Sequence, residues 1–169
     1  MNRQVLEYNG SLFETEIARY LYAHFKGIKV IVDKSTFSAY LRKDTQIDVI
    51  AVCDFGIFVI EAKNWKAWIK GEYNDTKWAG KSSGRDAMVV YNVVDQNFIH
   101  VRALRNRLRA QQVPLVPFHS IVCVPDGTQV ISRCSEICNL SELGSKMMAL
   151  GSGAGSVDVD YYAEVIKGA

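Results

Sequence analysis

The sequence predicts an α/β fold in which a mixed central sheet packs between helices. Three observations carry that reading. Phe13, Ile17, Tyr20, Leu21 and His24 recur at helical spacing. Two adjacent runs, QIDVIAVC at 46–53 and GIFVIEAK at 56–63, are dense in β-branched and aromatic residues. A long helical pattern then leads to another apolar run, PFHSIVCVP at 117–125. Helix, three strands, helix, strand is an order that buries a sheet under helices.

Each element has its own local signal. Residues 11–26 read as the first helix, and Ser11 with Glu14 has the form of a capping box at its start. Residues 28–33 (IKVIVD) read as a strand, and the polar stretch 34–45 as a loop. Asp54 and Phe55, with Gly56 next, separate the two strong runs as a tight hairpin turn does. Residues 67–73 read as an antiparallel strand, and 74–86, with Gly80, Ser82, Ser83 and Gly84, as a loop. The long helix covers about 89–111, with Pro114 beyond its end and Val94, Phe98, Val101, Leu104 and Leu108 as its apolar face. After 117–125 come a short strand at 129–132, a helix near 141–150 beginning at Ser141, a small-residue linker at 151–156 and a last helix at 158–167. The expected organisation is one domain over 1–150, followed by the linker and short helix of 151–169.

Composition narrows the function classes. With 169 residues, of which 49% are hydrophobic and 22% charged, the chain can bury a core without disulfides or a structural metal. A net charge of +2 is too mild to diagnose a nucleic-acid binder, so any such footprint must come from local clustering. Cys53 and Cys123 sit in apolar strands, and Cys134 with Cys138 has no second ligand pair at zinc-site spacing. No signal-peptide pattern and no membrane-length apolar run are visible, so a cytoplasmic protein without a membrane partner is expected. Phosphate-cradling P-loops, dinucleotide glycine fingerprints, H-E-x-x-H and G-x-S-x-G are all missing.

Charge inside the apolar strands is what points to chemistry. Asp48 interrupts the first strong run, and Glu61 and Lys63 close the second. A charge in a buried strand costs several kcal/mol (~) unless it is paired or bound to a cation. Alternation puts Glu61 and Lys63 on one face, their Cα atoms roughly 6.5–7 Å apart. A hairpin would bring Asp48 opposite the region of Glu61. Two carboxylates can hold a hard Mg²⁺ that keeps several waters, and Lys63 can orient an attacking water or stabilise developing charge. The competing reading is a solvated strand end. Glu14 lies about 60° from the centre of the first helix's apolar stripe and Glu16 about 100° away, so Glu14 can lean towards that site. It can equally be the capping-box partner of Ser11.

The long helix carries Asn92, Gln96 and His100 at four-residue spacing, on one face. Gln96 can bind a phosphate oxygen or a water; an exposed polar stripe is the alternative. Arg102, Arg105 and Arg109 follow at i, i+3 and i+7, with Arg107 between them, and form a track suited to phosphates or simply a solvated basic face. Trp65, Trp68 and Trp78 can stack on bases, although packing is expected for at least two of them.

As a set, these motifs resemble the NERD, or nuclease-related, domain. The resemblance rests on Gln46-Ile47-Asp48, on Gly56 through Asn64, on Gly10, Glu14 and Ile17, on Gly71 and Trp78, and on Asn92, Gln96, Asn97 and His100. It covers roughly residues 10–125 and is similar in part to archaeal Holliday-junction resolvases. It implies a three-layer α/β/α restriction-endonuclease-like fold of the PD-(D/E)xK superfamily. It also implies a metal site built from Glu14, Asp48 and the Glu61/Lys63 pair, with Gln96 as the helix glutamine. Val93 follows Asn92 where the family often has Pro. The expectation is a nuclease acting on DNA, with Mg²⁺ (or Mn²⁺) as cofactor. Asp48, Glu61, Glu14, Lys63 and Gln96 would be catalytic, and Arg102, Arg105, Arg109 and His100 would contact nucleic acid. A homodimer would suit a duplex substrate. The alternatives are a binding module without turnover and a protein that dimerises through a sheet edge or apolar patch.

Overall fold

The computed structural model describes residues 12–153 and 155–169, so Gly10 and Ser11, with the expected capping box, lie outside the described residues. Helix α1 (Leu12–His24) leads into β1 (Lys29–Ser38), β2 (Lys43–Cys53) and β3 (Gly56–Ala62). Then come β4 (Trp68–Lys70), β5 (Lys77–Lys81), β6 (Met88–Tyr91) and the long helix α2 (Val93–Ala110). Strands β7 (Phe118–Val124), β8 (Gln129–Ile131) and β9 (Ile137–Asn139), a 3-10 turn (Leu140–Glu142), α3 (Leu143–Gly151) and α4 (Val159–Gly168) complete the chain.

Two sheets result. The central one has the order β1-β2-β3-β7-β9 and is mixed: β1, β2 and β3 run antiparallel, while β7 is parallel to β3 and β9 to β7. Alternation along β2 and β3 sends Val49, Ala51, Phe58 and Ile60 to one face, where α1 (Phe13, Ile17, Leu21) and α3 (Leu143, Met147) cover them. Ile50, Val52, Ile57 and Val59 go to the other, under α2 (Val101, Leu104, Leu108) and α4 (Tyr162, Ala163, Ile166). Because β2 and β3 are buried on both faces, they read as continuous apolar runs rather than alternating ones. The three-layer α/β/α arrangement follows. Helix α4 belongs to the same core, and Tyr162 Oη donates to the Pro114 carbonyl at 2.8 Å.

The second sheet, of order β6-β5-β4-β8, differs most from the sequence reading. Residues 77–81 form a strand where a loop was expected, and of the antiparallel strand expected over 67–73 only Trp68–Lys70 is β4, which pairs antiparallel with β5. This sheet docks through Trp65, Ile69 and Trp78 onto Val93, Val94, Val122 and Val124. Two of the three tryptophans are therefore core residues, and Trp68 is half-buried. Gly71 and Gly80 are required by contact: a Cβ on Gly71 would meet the Trp78 indole, and one on Gly80 would meet that of Trp65. Gly80→Ala is expected to lower stability by about 1–3 kcal/mol through overpacking, read as an earlier urea midpoint at unchanged m-value. An unchanged midpoint would mean that the Trp65 ring moves aside freely.

Three more boundaries differ. Strands β1 and β2 continue through 34–38 and 43–45 as a two-stranded ribbon, paired as far as Ser38↔Lys43, where a loop was expected. Helix α2 starts at Val93, because Asn92 is its N-cap: the Asn92 side chain accepts from the Val94 and Asp95 N–H groups. Asn92 is thus buried and structural, and its amide also donates to the carbonyls of Glu72, Tyr73 and Asp75. Phe98 is exposed; Asn97 and His100 occupy the buried face instead. All four cysteines are free and buried. Among the described residues, no helix is long and apolar enough to cross a membrane.

Candidate active site

The hairpin β2–β3 pairs from Cys53↔Gly56 to Val49↔Ile60. Asp48 and Glu61 come next in that register, and there the backbone ladder stops. The Asp48 carboxylate itself accepts the Ala62 N–H, at 2.8 Å. A side-chain oxygen takes the place of a strand carbonyl, and β2 and β3 part. At that end of the sheet lies a cleft of about 1040 Å³, lined among others by Glu14, Asp48, Glu61, Lys63, Gln96 and His100.

Glu61 is 1% exposed. It lies two residues beyond Val59 and so faces α2. Its Oε1 is 2.6 Å from Lys63 Nζ, and its Oε2 is 3.2 Å from His100 Nδ1, an ion pair when the imidazole is protonated. That second contact misses hydrogen-bond geometry, and Glu61 Oε2 and His100 Nδ1 both lack a hydrogen-bond partner. Burial pushes the Glu61 carboxyl up, but the His100 and Lys63 contacts outweigh it and hold the group below its ordinary range. Lys63 Nζ also donates to Gln96 Oε1 at 3.4 Å. Spacing on α2 brings Gln96 and His100 to the two sides of one ion pair.

Asp48 behaves in the opposite way. Burial, then the charge of Glu61, and also that of Glu14, raise it from 3.8 to about 7, against the opposing Ala62 N–H and Lys63. Glu14 sits in the first turn of α1, buried, and approaches from the other face of the sheet.

The nucleic-acid residues expected from the sequence are divided by the structure. His100 is buried against Glu61, away from solvent. Arg102, Arg105 and Arg109 are exposed along α2. Arg102 lies over the Tyr40 ring, 5.6 Å from its centroid, beside the cleft, whereas Arg105 lies over Phe118. Sequence reasoning gave Asn97 no structural role. Its amide donates to the Val59 carbonyl, Ser120 Oγ and the Ile121 carbonyl, and so pins α2 across β3 and β7. A polar residue on the buried stripe of an amphipathic helix was the available signal.

Among the described residues, no three His, Cys, Asp or Glu side chains stand together as a closed metal cage. The donor set nevertheless suits a hard cation that keeps most of its waters and needs one or two carboxylates. Ionisation of Asp48 is opposed by burial and by its carboxylate neighbours, and Glu61 Oε2 has no hydrogen-bond donor. Both are conditions that a divalent cation relieves.

A family model for the nuclease-related domain, NERD, matches residues 9–125. Over 72 residues the chain is 35% identical to an uncharacterized protein of Bacillus anthracis, a stretch covering 43% of this chain and 33% of that protein. The matched stretch is thus about a third of the length of that relative.

Proposed function

Because the chain belongs to the nuclease-related domain family, we propose that it is a divalent-metal-dependent nuclease that hydrolyses phosphodiester bonds, with DNA as its substrate. The observation that carries this reading is the meeting of Asp48 and Glu61 where β2 and β3 part, with Lys63 against Glu61 at 2.6 Å. Asp48 and Glu61 would hold Mg²⁺, with Glu14 assisting directly or through water. When bound, Mg²⁺ supplies the charge that polarises a phosphoryl oxygen and makes water acidic enough to attack.

The remaining work falls to the chain's own residues. Lys63, its side chain 18% exposed, keeps an ammonium at the cleft wall, where it can hold a water or the negative charge that builds on phosphorus. Gln96 Oε1 accepts a second hydrogen bond from the same ammonium, at 3.4 Å, and so helps to orient it. His100 packs beside the second oxygen of Glu61, Nδ1 to Oε2 at 3.2 Å.

The test is cleavage of circular, linear and branched DNA with Mg²⁺, Mn²⁺ or chelator. Cutting that needs the metal and falls by about 10²–10³-fold in Lys63→Ala is the expected result. Full cutting by that variant overturns the role of Lys63. A second reading, a nucleic-acid-binding module without turnover, draws on the closeness of the Lys63–Glu61 pair, which neutralises a carboxylate the metal would need. It is favoured if no substrate is cut while salt-sensitive binding persists.

A further inference from the structure

The cleft has an unusual pair of walls for a site built to receive a duplex. The turn of the β1–β2 ribbon contributes Tyr40 and Leu41 to its lining, and β6, a distant element, contributes Met88 and Tyr91. Tyr40 is 64% exposed, Met88 57% and Tyr91 52%. Exposed singly such side chains are ordinary, but gathered around one cleft they form the kind of patch that marks an interaction site. A B-form duplex would present its charged phosphates to those walls and keep its base faces stacked inside, out of their reach. Unpaired bases do: every base has a π-face, and stacking on an aromatic side chain tolerates any sequence. Charge accompanies the aromatics. Arg102 lies over the Tyr40 ring, 5.6 Å from its centroid, and Lys43 lines the same cleft. Aromatic faces with flanking cations form the usual platform for a single strand.

We propose that the cleft takes unpaired nucleic acid, a single strand or the frayed or overhanging end of a duplex, with Tyr40 and Tyr91 as base-stacking walls of the cleft that holds the carboxylates. The proposal rests on the nuclease reading and names its substrate class. Arg102 then steers the strand past Tyr40, while Arg105 and Arg109, farther along α2, contribute less.

The test measures binding in chelator, where no cutting occurs, to a fluorescent single-stranded DNA, the same sequence as RNA, its blunt duplex, and the duplex with an overhang. The expected result is tighter binding of single strand and overhang than of blunt duplex. Tyr40→Ala and Tyr91→Ala each weaken single-strand binding by roughly five- to hundredfold, and Tyr40→Phe restores it. The RNA arm decides which sugar the cleft prefers. Equal or tighter binding of the blunt duplex, insensitive to both tyrosines, overturns the substrate assignment; if that duplex is also cut with Mg²⁺, the nuclease reading survives. Binding of no nucleic acid at all overturns both. If both variants instead bind as wild type while light scattering shows a dimer becoming a monomer, the walls cover a second copy of this chain and the proposal fails.

Discussion

Asp48→Asn is expected to abolish cleavage, by about 10³-fold or more, and at the same time to make the metal-free protein more stable. The two effects share one cause. Asp48 is raised from 3.8 to about 7 by burial first, then by Glu61 and Glu14. Between those two values the folded state binds a proton that the unfolded chain has already released, so stability falls as pH rises through that window. Asparagine keeps an oxygen for the Ala62 N–H but has no proton to lose. The gain over wild type is therefore absent below about pH 4, grows between pH 4 and pH 7, and levels off above, at on the order of 2–4 kcal/mol. Urea unfolding of both proteins at pH 4, 6 and 8 in chelator measures it. Mg²⁺ added at pH 8 raises the Tm of wild type by more than that of the variant, because the variant lacks one of the carboxylate charges the cation neutralises. An equal Mg²⁺ shift in both proteins would remove Asp48 from the metal site.

This trade-off explains why the site was legible before the fold was complete. Asp48, Glu61 and Lys63 stand out in sequence because their neighbours are Ile, Val, Phe and Ala, and a charge among such residues is costly wherever the strands go. The same apolar density made β2, β3 and β7 readable. Elements held by other forces were not. The ribbon extensions at 34–38 and 43–45 are kept by their cross-strand ladder, and their sequence is polar. Strands β5 and β9 are short, and in β5 the lysines and Gly80 hide the inward Trp78. β6 lacks a break before Asn92, so its MVVY joined the following helical pattern, and only the cap geometry separates them. His100 was readable as a neighbour of Gln96 on α2, but its partner, Glu61, is 39 positions away in sequence and only the packing of α2 on β3 brings them together. Tyr40 and Tyr91 carry no local signal, because a wall of a cleft is a property of two distant elements.

Glu61→Gln is expected to abolish cleavage to the same degree as Asp48→Asn but to move stability the other way. Burial opposes the Glu61 charge, yet His100 and Lys63 hold the carboxyl below its ordinary range. A depressed carboxyl contributes stability above its unfolded value and loses it as pH falls through the folded one, so at pH 8 the charge supports the fold. Removing it leaves the Lys63 ammonium, 2.6 Å away, without its counter-charge, a loss of about 2 kcal/mol in urea unfolding at pH 8. The two changes are also coupled, because the Glu61 charge is one of the causes that raise Asp48. In a Glu61→Gln background the gain from Asp48→Asn must shrink, and a double-mutant cycle at pH 8 reads that difference directly. Strict additivity would mean that the two carboxylates do not sense each other. A shared metal site would then be a poor account of why both are there.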